Sequence, residues 1–190
     1  MTFACATTAE RRVARRAGAR AALVGLAAAN GVPDGPVVSF GLAGSLRDDL
    51  DCGTVLDATR VVDSQGGVLW EGEPLGVPGA RPATILAAEA IVDDPDERRQ
   101  LHERTGADAA DLESGPLARS GRLQGVLRAV SDTPERTLGG IAGAVKPDGA
   151  TSWPGLARAF ARKPRGAVRA ATDARHALGR LGEATKGWSR

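Results

Sequence analysis

The chain has 190 residues, 42% of them hydrophobic, which suits one globular domain with its own core. Its aromatic content of 3% and lack of Tyr leave core volume to Ala, Val, Leu and Ile on closely packed elements. A net charge of +2 divides into +7 over residues 146–190, where ten Lys and Arg face Asp148, Asp173 and Glu183, and −5 over the rest. Nowhere do about 18 apolar residues run together, and no basic, apolar leader opens the sequence, so a cytoplasmic protein is expected. Cys5 and Cys52 lie far apart, outside any ligand spacing, which argues against a disulfide framework or a metal site. Cys5 reads as core.

Thr2 to Ala6 reads as an entering strand, Ala9 to Ala21 as an Arg-rich helix and Ala22 to Leu26 as a second apolar stretch. Asn30, Gly31, Pro33, Asp34 and Gly35 form a turn cluster before a strand resumes over Pro36 to Phe40. Gly41 to Ser45 then reads as a buried-strand pattern running into small residues that let backbone amides approach a ligand closely. Val55 to Val62 is a further strand, Ser64 to Pro82 is loop with a short hairpin, and Ile85 to Val92 continues the sheet or its flank. Asp93-Asp94-Pro95-Asp96 caps a helix through Arg104, with acids first and bases last. Val126 to Val130 is the next strand, ending at Ser131-Asp132. Gly139 to Thr151 is loop with a turn at Lys146-Pro147-Asp148-Gly149, and Trp153 onward is helical with a break at Pro164. Alternating strands and helices predict an α/β fold with a mostly parallel central sheet flanked by helices. Residues 1–152 form the α/β body and 153–190 a basic helical segment of the same domain.

Glu10, Glu113 and Asp132 each stand at or just after the end of an apolar run. Spacing alone favours capping and solvated loop charge for them. Three segments in order point further: Val38-Ser39-Phe40-Gly41-Leu42-Ala43-Gly44-Ser45-Leu46 with Gly53-Thr54-Val55, then Ala110-Asp111-Leu112-Glu113-Ser114, then Leu127-Arg128-Ala129-Val130-Ser131-Asp132. Together they resemble the nucleoside phosphorylase and nucleosidase superfamily, nearest its methylthioadenosine/S-adenosylhomocysteine nucleosidase branch, over most of residues 1–145. The resemblance implies a three-layer phosphorylase/hydrolase architecture and cleavage of a purine from ribose.

It also implies roles. Asp132 would contact the purine and protonate N7, so that the base leaves neutral, which requires shelter from water. Glu113 would accept hydrogen bonds from ribose hydroxyls and stabilise the developing cationic sugar, with Leu112 lying against the ring where the family has Met. Glu10 would activate the attacking water, although Arg11 and Arg12 offer it a structural salt bridge instead. Ala43 and Gly44 complete the substrate contacts. A carboxylate at the attack position would repel phosphate, favouring hydrolysis over phosphorolysis despite Arg11, Arg12 and Arg47. No metal or organic cofactor is implied. The span from Leu26 to Val37 is too short for the usual strand, Gly loop and helix, which leaves a non-catalytic scaffold as an alternative. His102 and His176 read as solvated surface residues.

Residues 142–149 and Leu156 to Pro164 resemble the C-terminal signature of hopanoid-associated phosphorylase-like proteins. That branch implies adenosylhopane as substrate, with small nucleosides such as methylthioadenosine, S-adenosylhomocysteine or futalosine as alternatives. Val168, Ala171, Leu178 and Leu181 recur at helical spacing opposite basic residues, so the tail is expected either to pack on the sheet or to lie on an anionic membrane at the inner face. A homodimer is implied by the relatives, and no nucleic-acid partner is expected, because the arginines lack interleaved aromatics.

Overall fold

The computed structural model describes residues 1–138, 146–150, 152, 161 and 164–188. The strands are β1 (Thr2–Cys5), β2 (Ala21–Leu23), β3 (Val37–Ser45), β4 (Val55–Val62), β5 (Val68–Glu71), β6 (Arg81–Ala87), β7 (Ala109–Asp111) and β8 (Leu123–Asp132). The helices are α1 (Thr8–Arg16), α2 (Pro95–Thr105), α3 (Ser114–Arg119) and α4 (Pro164–Thr185). Five of the eight strand pairings are parallel. β3, β8, β4, β6 and β7 pair in a closed ring, with β1 and β2 carried on the first half of β3 and β5 hung on β4. Ring closure removes most free edges and brings the ends of β3, β7 and β8 together.

Local chemistry sets the boundaries. At α1, the Thr7 side chain accepts from the Glu10 amide while Glu10 accepts from the Thr7 amide, a reciprocal capping box. The helix stops at Arg16, short of the expected Ala21, because the chain reverses through Gly18 at φ 89°. Asp94 caps α2 by accepting from the amides of Asp96 and Glu97, and Gly106 closes it at φ 69°. β6 begins earlier than expected, at Arg81-Pro82, since proline is tolerated at a strand start. Buried Asp57 ties down the Gly/Pro-rich stretch by accepting from the amides of Leu75, Gly76 and Val77 at 2.9, 2.8 and 3.3 Å.

Gly41 to Ser45 continues the strand, as the buried-strand pattern predicts. The whole segment stays in β3, because one side pairs with β8 through Gly44 and the other with β7 at Gly44 and Ser45. Phe3 stacks on Phe40 at 4.9 Å in a cluster that also holds Val38, Leu127, Ala177 and Leu181. α4 therefore packs on the sheet, chiefly against β8 and also on α1. Its buried face is Ala167, Ala170, Ala177 and Leu181, and burying Leu181 contributes about 1.5–3 kcal/mol. Val168, expected on that face, is 54% exposed, since it falls one residue off the buried stripe. The expected helix over 153–163 and most of the hopanoid-type signature lie outside the described residues.

Candidate functional site

A cavity of about 590 Å³ opens where β3, β7 and β8 end, between α1, the turn after β2, α2 and α4. Glu10, Ala43, Gly44, Leu112, Glu113 and Asp132, spread over 123 positions of sequence, all line it. Most of the remaining wall is Ala, Leu, Ile and Val.

At one end stands Asp132, the last residue of β8, buried with 3% exposure. Ser131 Oγ donates to its Oδ1 at 2.6 Å, and Arg98 Nη2 donates to its Oδ2. Arg98 reaches in from α2 and is itself buried, its Nε donating to the Val92 carbonyl at 3.0 Å and its Nη1 to the Ser45 carbonyl at 3.1 Å. Gly44 makes room for the pair: a Cβ there would lie 2.8 Å from Asp132 Oδ2 and 3.3 Å from Arg98 Nη2. Sequence reasoning missed Arg98, which reads as one more surface base on a polar helix.

At the other end the cation is Arg128 of β8, fully buried. Its Nε donates to Asp111 Oδ2 and its Nη2 to Ser39 Oγ, each at 2.5 Å, and Nη2 lies 3.6 Å from Glu113 Oε2. Asp111 in turn accepts from Ser114, from the hydroxyl at 2.5 Å and the amide at 2.9 Å. Glu10 accepts from the Thr7 amide at 2.7 Å through Oε2 and from the Leu42 amide at 3.0 Å through Oε1. Gly41 is the close-packing glycine here, because a Cβ would strike Glu10 and the Arg128 guanidinium. Arg128 Nη1 is buried with no hydrogen-bond partner among the described residues. Arg128 and Asp111 stand inside the quoted motifs, yet the sequence assigns them no part.

The charge balance sets the protonation of this end. Burial pushes the Glu113 carboxyl up to about 8; Arg128 opposes the shift, and the neighbouring Asp111 and Glu10 add to it. Burial likewise raises Glu10, again opposed by Arg128 and by the donors from Leu42 and Thr7. The cation facing Glu10 is thus Arg128, and no ion pair of Glu10 with Arg11 or Arg12 occurs among the described residues. Arg47 is engaged elsewhere, with Asp49 at 2.6 Å and Asp108 at 2.8 Å.

Glu113 Oε1 accepts from the Ala27 amide at 3.2 Å. This links the site to the shortened segment after β2, where Leu26–Ala28 forms a single 3-10 turn in place of a helix. Ala27 and Ala28 both adopt positive φ, 50° and 58°, a conformation costly for non-glycine residues. His176 is exposed and His102 is half-buried, with Nδ1 2.8 Å from the Ala107 carbonyl; neither lines the cavity. The solvated reading holds for His176, whereas His102 closes the end of α2. No group of side chains fit to hold a metal ion occurs among the described residues.

No family model and no curated relative matches the chain. Solved structures do. A methylthioadenosine/S-adenosylhomocysteine nucleosidase from Neisseria meningitidis, bound to methylthio-immucillin-A, is 15% identical with a TM-score of 0.57, covering 98% of each chain. A Helicobacter pylori nucleosidase of the same kind with 5′-methylthioadenosine in its active site is 16% identical, TM-score 0.55, over 96% of this chain and 97% of that one. Futalosine hydrolase from H. pylori is 15% identical, TM-score 0.55, over 96% of both. The chain therefore has the fold of these nucleosidases, a central, mostly parallel sheet flanked by helices. No helix among the described residues is long and apolar enough to cross a membrane.

Proposed function

We propose that this protein hydrolyses the N-glycosidic bond of a purine nucleoside. The observation that carries the reading is the gathering of Glu10, Glu113 and Asp132 on one buried cavity in a fold shared with nucleosidases. Asp132, sheltered at the base end and paired with Arg98 in the free protein, takes up a proton as the substrate binds and passes it to N7 of the departing purine. Glu113, fixed by the Ala27 amide and Arg128, holds the ribose hydroxyls, while Leu112 packs on the ring. Glu10, held by Thr7 and Leu42, takes a proton from the attacking water, and the spare N–H groups of Arg128 Nη1 lie on the same side. Carboxyl groups lining this end, with Arg47 engaged elsewhere, support water over phosphate as nucleophile.

The apolar wall formed by Leu26, Ile91, Ala170, Ala171 and Ala174 supports a nucleoside with an apolar 5′ group. Adenosylhopane is the extreme case, and methylthioadenosine, S-adenosylhomocysteine and futalosine are smaller ones. Adenine and hypoxanthine nucleosides use the same machinery and differ at C6. A homodimer, as the resemblance implies, remains part of the proposal. So does weak docking on anionic lipid, supported by exposed Val168 between Arg165 and Arg169. Changing Arg162, Lys163, Arg165 and Arg169 to Gln is expected to abolish salt-sensitive sedimentation with anionic vesicles; equal sedimentation of both proteins would remove lipid from the proposal.

The catalytic reading is tested by base release from 5′-methylthio nucleosides, followed by chromatography. Asp132→Asn, nearly isosteric but without an acidic proton, is expected to lose roughly 10²-fold or more in rate while keeping its fold. Full rate in that variant would remove Asp132 as the acid. Absence of base release from the wild type with every nucleoside tried would leave the non-catalytic scaffold.

A further inference from the structure

We infer that Arg98 selects the purine, and that it selects a 6-oxopurine such as hypoxanthine over a 6-aminopurine. The inference rests on the nucleosidase reading, which places the base beside Asp132. A guanidinium is donor only, with five N–H groups and no acceptor. Three of those donors are committed to the Val92 carbonyl, the Ser45 carbonyl and Asp132. One N–H remains on each of Nη1 and Nη2, and the side chain lines the cavity. Asp93 Oδ1, at 4.0 Å from Nη2, is the other carboxylate near it.

The two purine classes differ at the edge that carries N7. A 6-oxopurine offers two acceptors there, O6 and N7, and is the standard bidentate partner of arginine. A 6-aminopurine offers one acceptor and one donor, N7 and the amino group. A lone carboxylic acid would suit the aminopurine, since it can donate to N7 and accept from the amino group. With Arg98 on its Oδ2 and Ser131 on its Oδ1, Asp132 has one donor-only neighbour fixed at its side. An amino group brought there sets N–H against N–H, whereas O6 finds a donor already in place.

Arg98 is held before any ligand arrives. Burial, two backbone carbonyls and the missing Cβ of Gly44 fix its position, so recognition requires no ordering step. Leu46 and Val92, which pack together beside it, are apolar and leave discrimination to the charged pair. Mismatched donors in a site built for hydrogen bonding reject a substrate strongly, so a preference of about tenfold or more is expected.

The test compares 5′-methylthioinosine with 5′-methylthioadenosine by kcat/KM, and hypoxanthine with adenine by calorimetry, on the full-length protein. We expect the oxopurine of each pair to be favoured by about tenfold or more. Arg98→Gln, which presents one donor and one acceptor, is expected to invert the ratio, a result that a merely structural role for Arg98 would not produce. If that variant fails to fold, the wild-type ratios decide alone. Equal or faster release of adenine by the wild type, or a folded Arg98→Gln with an unchanged ratio, overturns the inference and leaves the nucleosidase standing. Cleavage of neither nucleoside, with binding of neither base, overturns both.

Discussion

At the Asp132 end the Arg98 guanidinium holds one buried carboxylate, with exposed Asp93 farther off at 4.0 Å, whereas at the Glu10 end three buried carboxyls, Glu10, Asp111 and Glu113, gather around the single guanidinium of Arg128. The first pairs its buried charges one to one. The second carries excess negative charge, relieved by leaving a proton on Glu113 near neutral pH. Heterolysis of a glycosidic bond makes the sugar positive and pushes electrons onto the base. On the proposed reading, with the sugar at the Glu10 end and the base at the Asp132 end, the cavity is already polarised in that sense. The contrast separates two buried arginines: Arg128, behind the cavity wall, offsets a cluster of acids, whereas Arg98 lines the cavity beside Asp132.

The largest expected effect comes from removing the shared cation. Arg128→Met would leave Asp111, Glu113 and Glu10 buried without compensation, and breaking such a cluster costs about 3–5 kcal/mol. Urea denaturation reads this directly. A loss below about 1 kcal/mol would show that the acids are carried neutral and that the contrast between the two ends is overstated.

A smaller effect follows from pH. Because the folded Glu113 carboxyl titrates near 8 rather than at its ordinary 4.5, the folded state holds this proton more tightly than the unfolded chain. Its contribution to stability is full below about 4.5, declines as pH rises through about 8 and is level above. Glu113→Gln should lack that decline, so the stability of the variant relative to wild type should climb across the window. Melting temperatures of the two proteins at a series of pH values test it, and parallel curves would place the proton elsewhere.

The smallest effect concerns the turn that holds Glu113 in place. Ala27→Gly relieves a positive φ and should raise stability by roughly 1 kcal/mol, since the left-handed region penalises a Cβ by about that amount. A loss instead, seen in the same denaturation experiment, would mean that the alanine methyl packs productively and that the turn is not strained.

Strand and helix alternation was legible because each apolar run is bounded by turn or capping residues, as at Asp94-Pro95 and Gly106. Gly41 to Ser45 was legible as a strand running into small residues, but not what those residues make room for, because small residues that permit a close ligand permit buried side chains just as well. Here Gly41 lies under Glu10 and Arg128, and Gly44 under Asp132 and Arg98. Glu113 and Asp132 were readable as candidates since each sits within a short contiguous motif, and Glu10 since it follows the first apolar run. Arg98 was not, because its partner is 34 residues away on another element and nothing local separates it from Arg99, which pairs with Asp48 and Asp96 on the surface. The cation of Glu10 was sought next door, at Arg11 and Arg12, when the sheet supplies it from position 128.

The walls of the cavity come from both extremes of the described chain, Ala6 to Glu10 on one side and Ala170 to Arg175 on the other. Such a wall is assembled from contacts of the highest sequence separation, whose loop-closure entropy must be met before they return any stability. α4 is then the element whose local detachment uncovers the cavity while leaving the ring of strands paired. Any occupant of the cavity must oppose that detachment by mass action, so the amides of α4 would exchange with solvent at a rate that reports occupancy, whatever the occupant is.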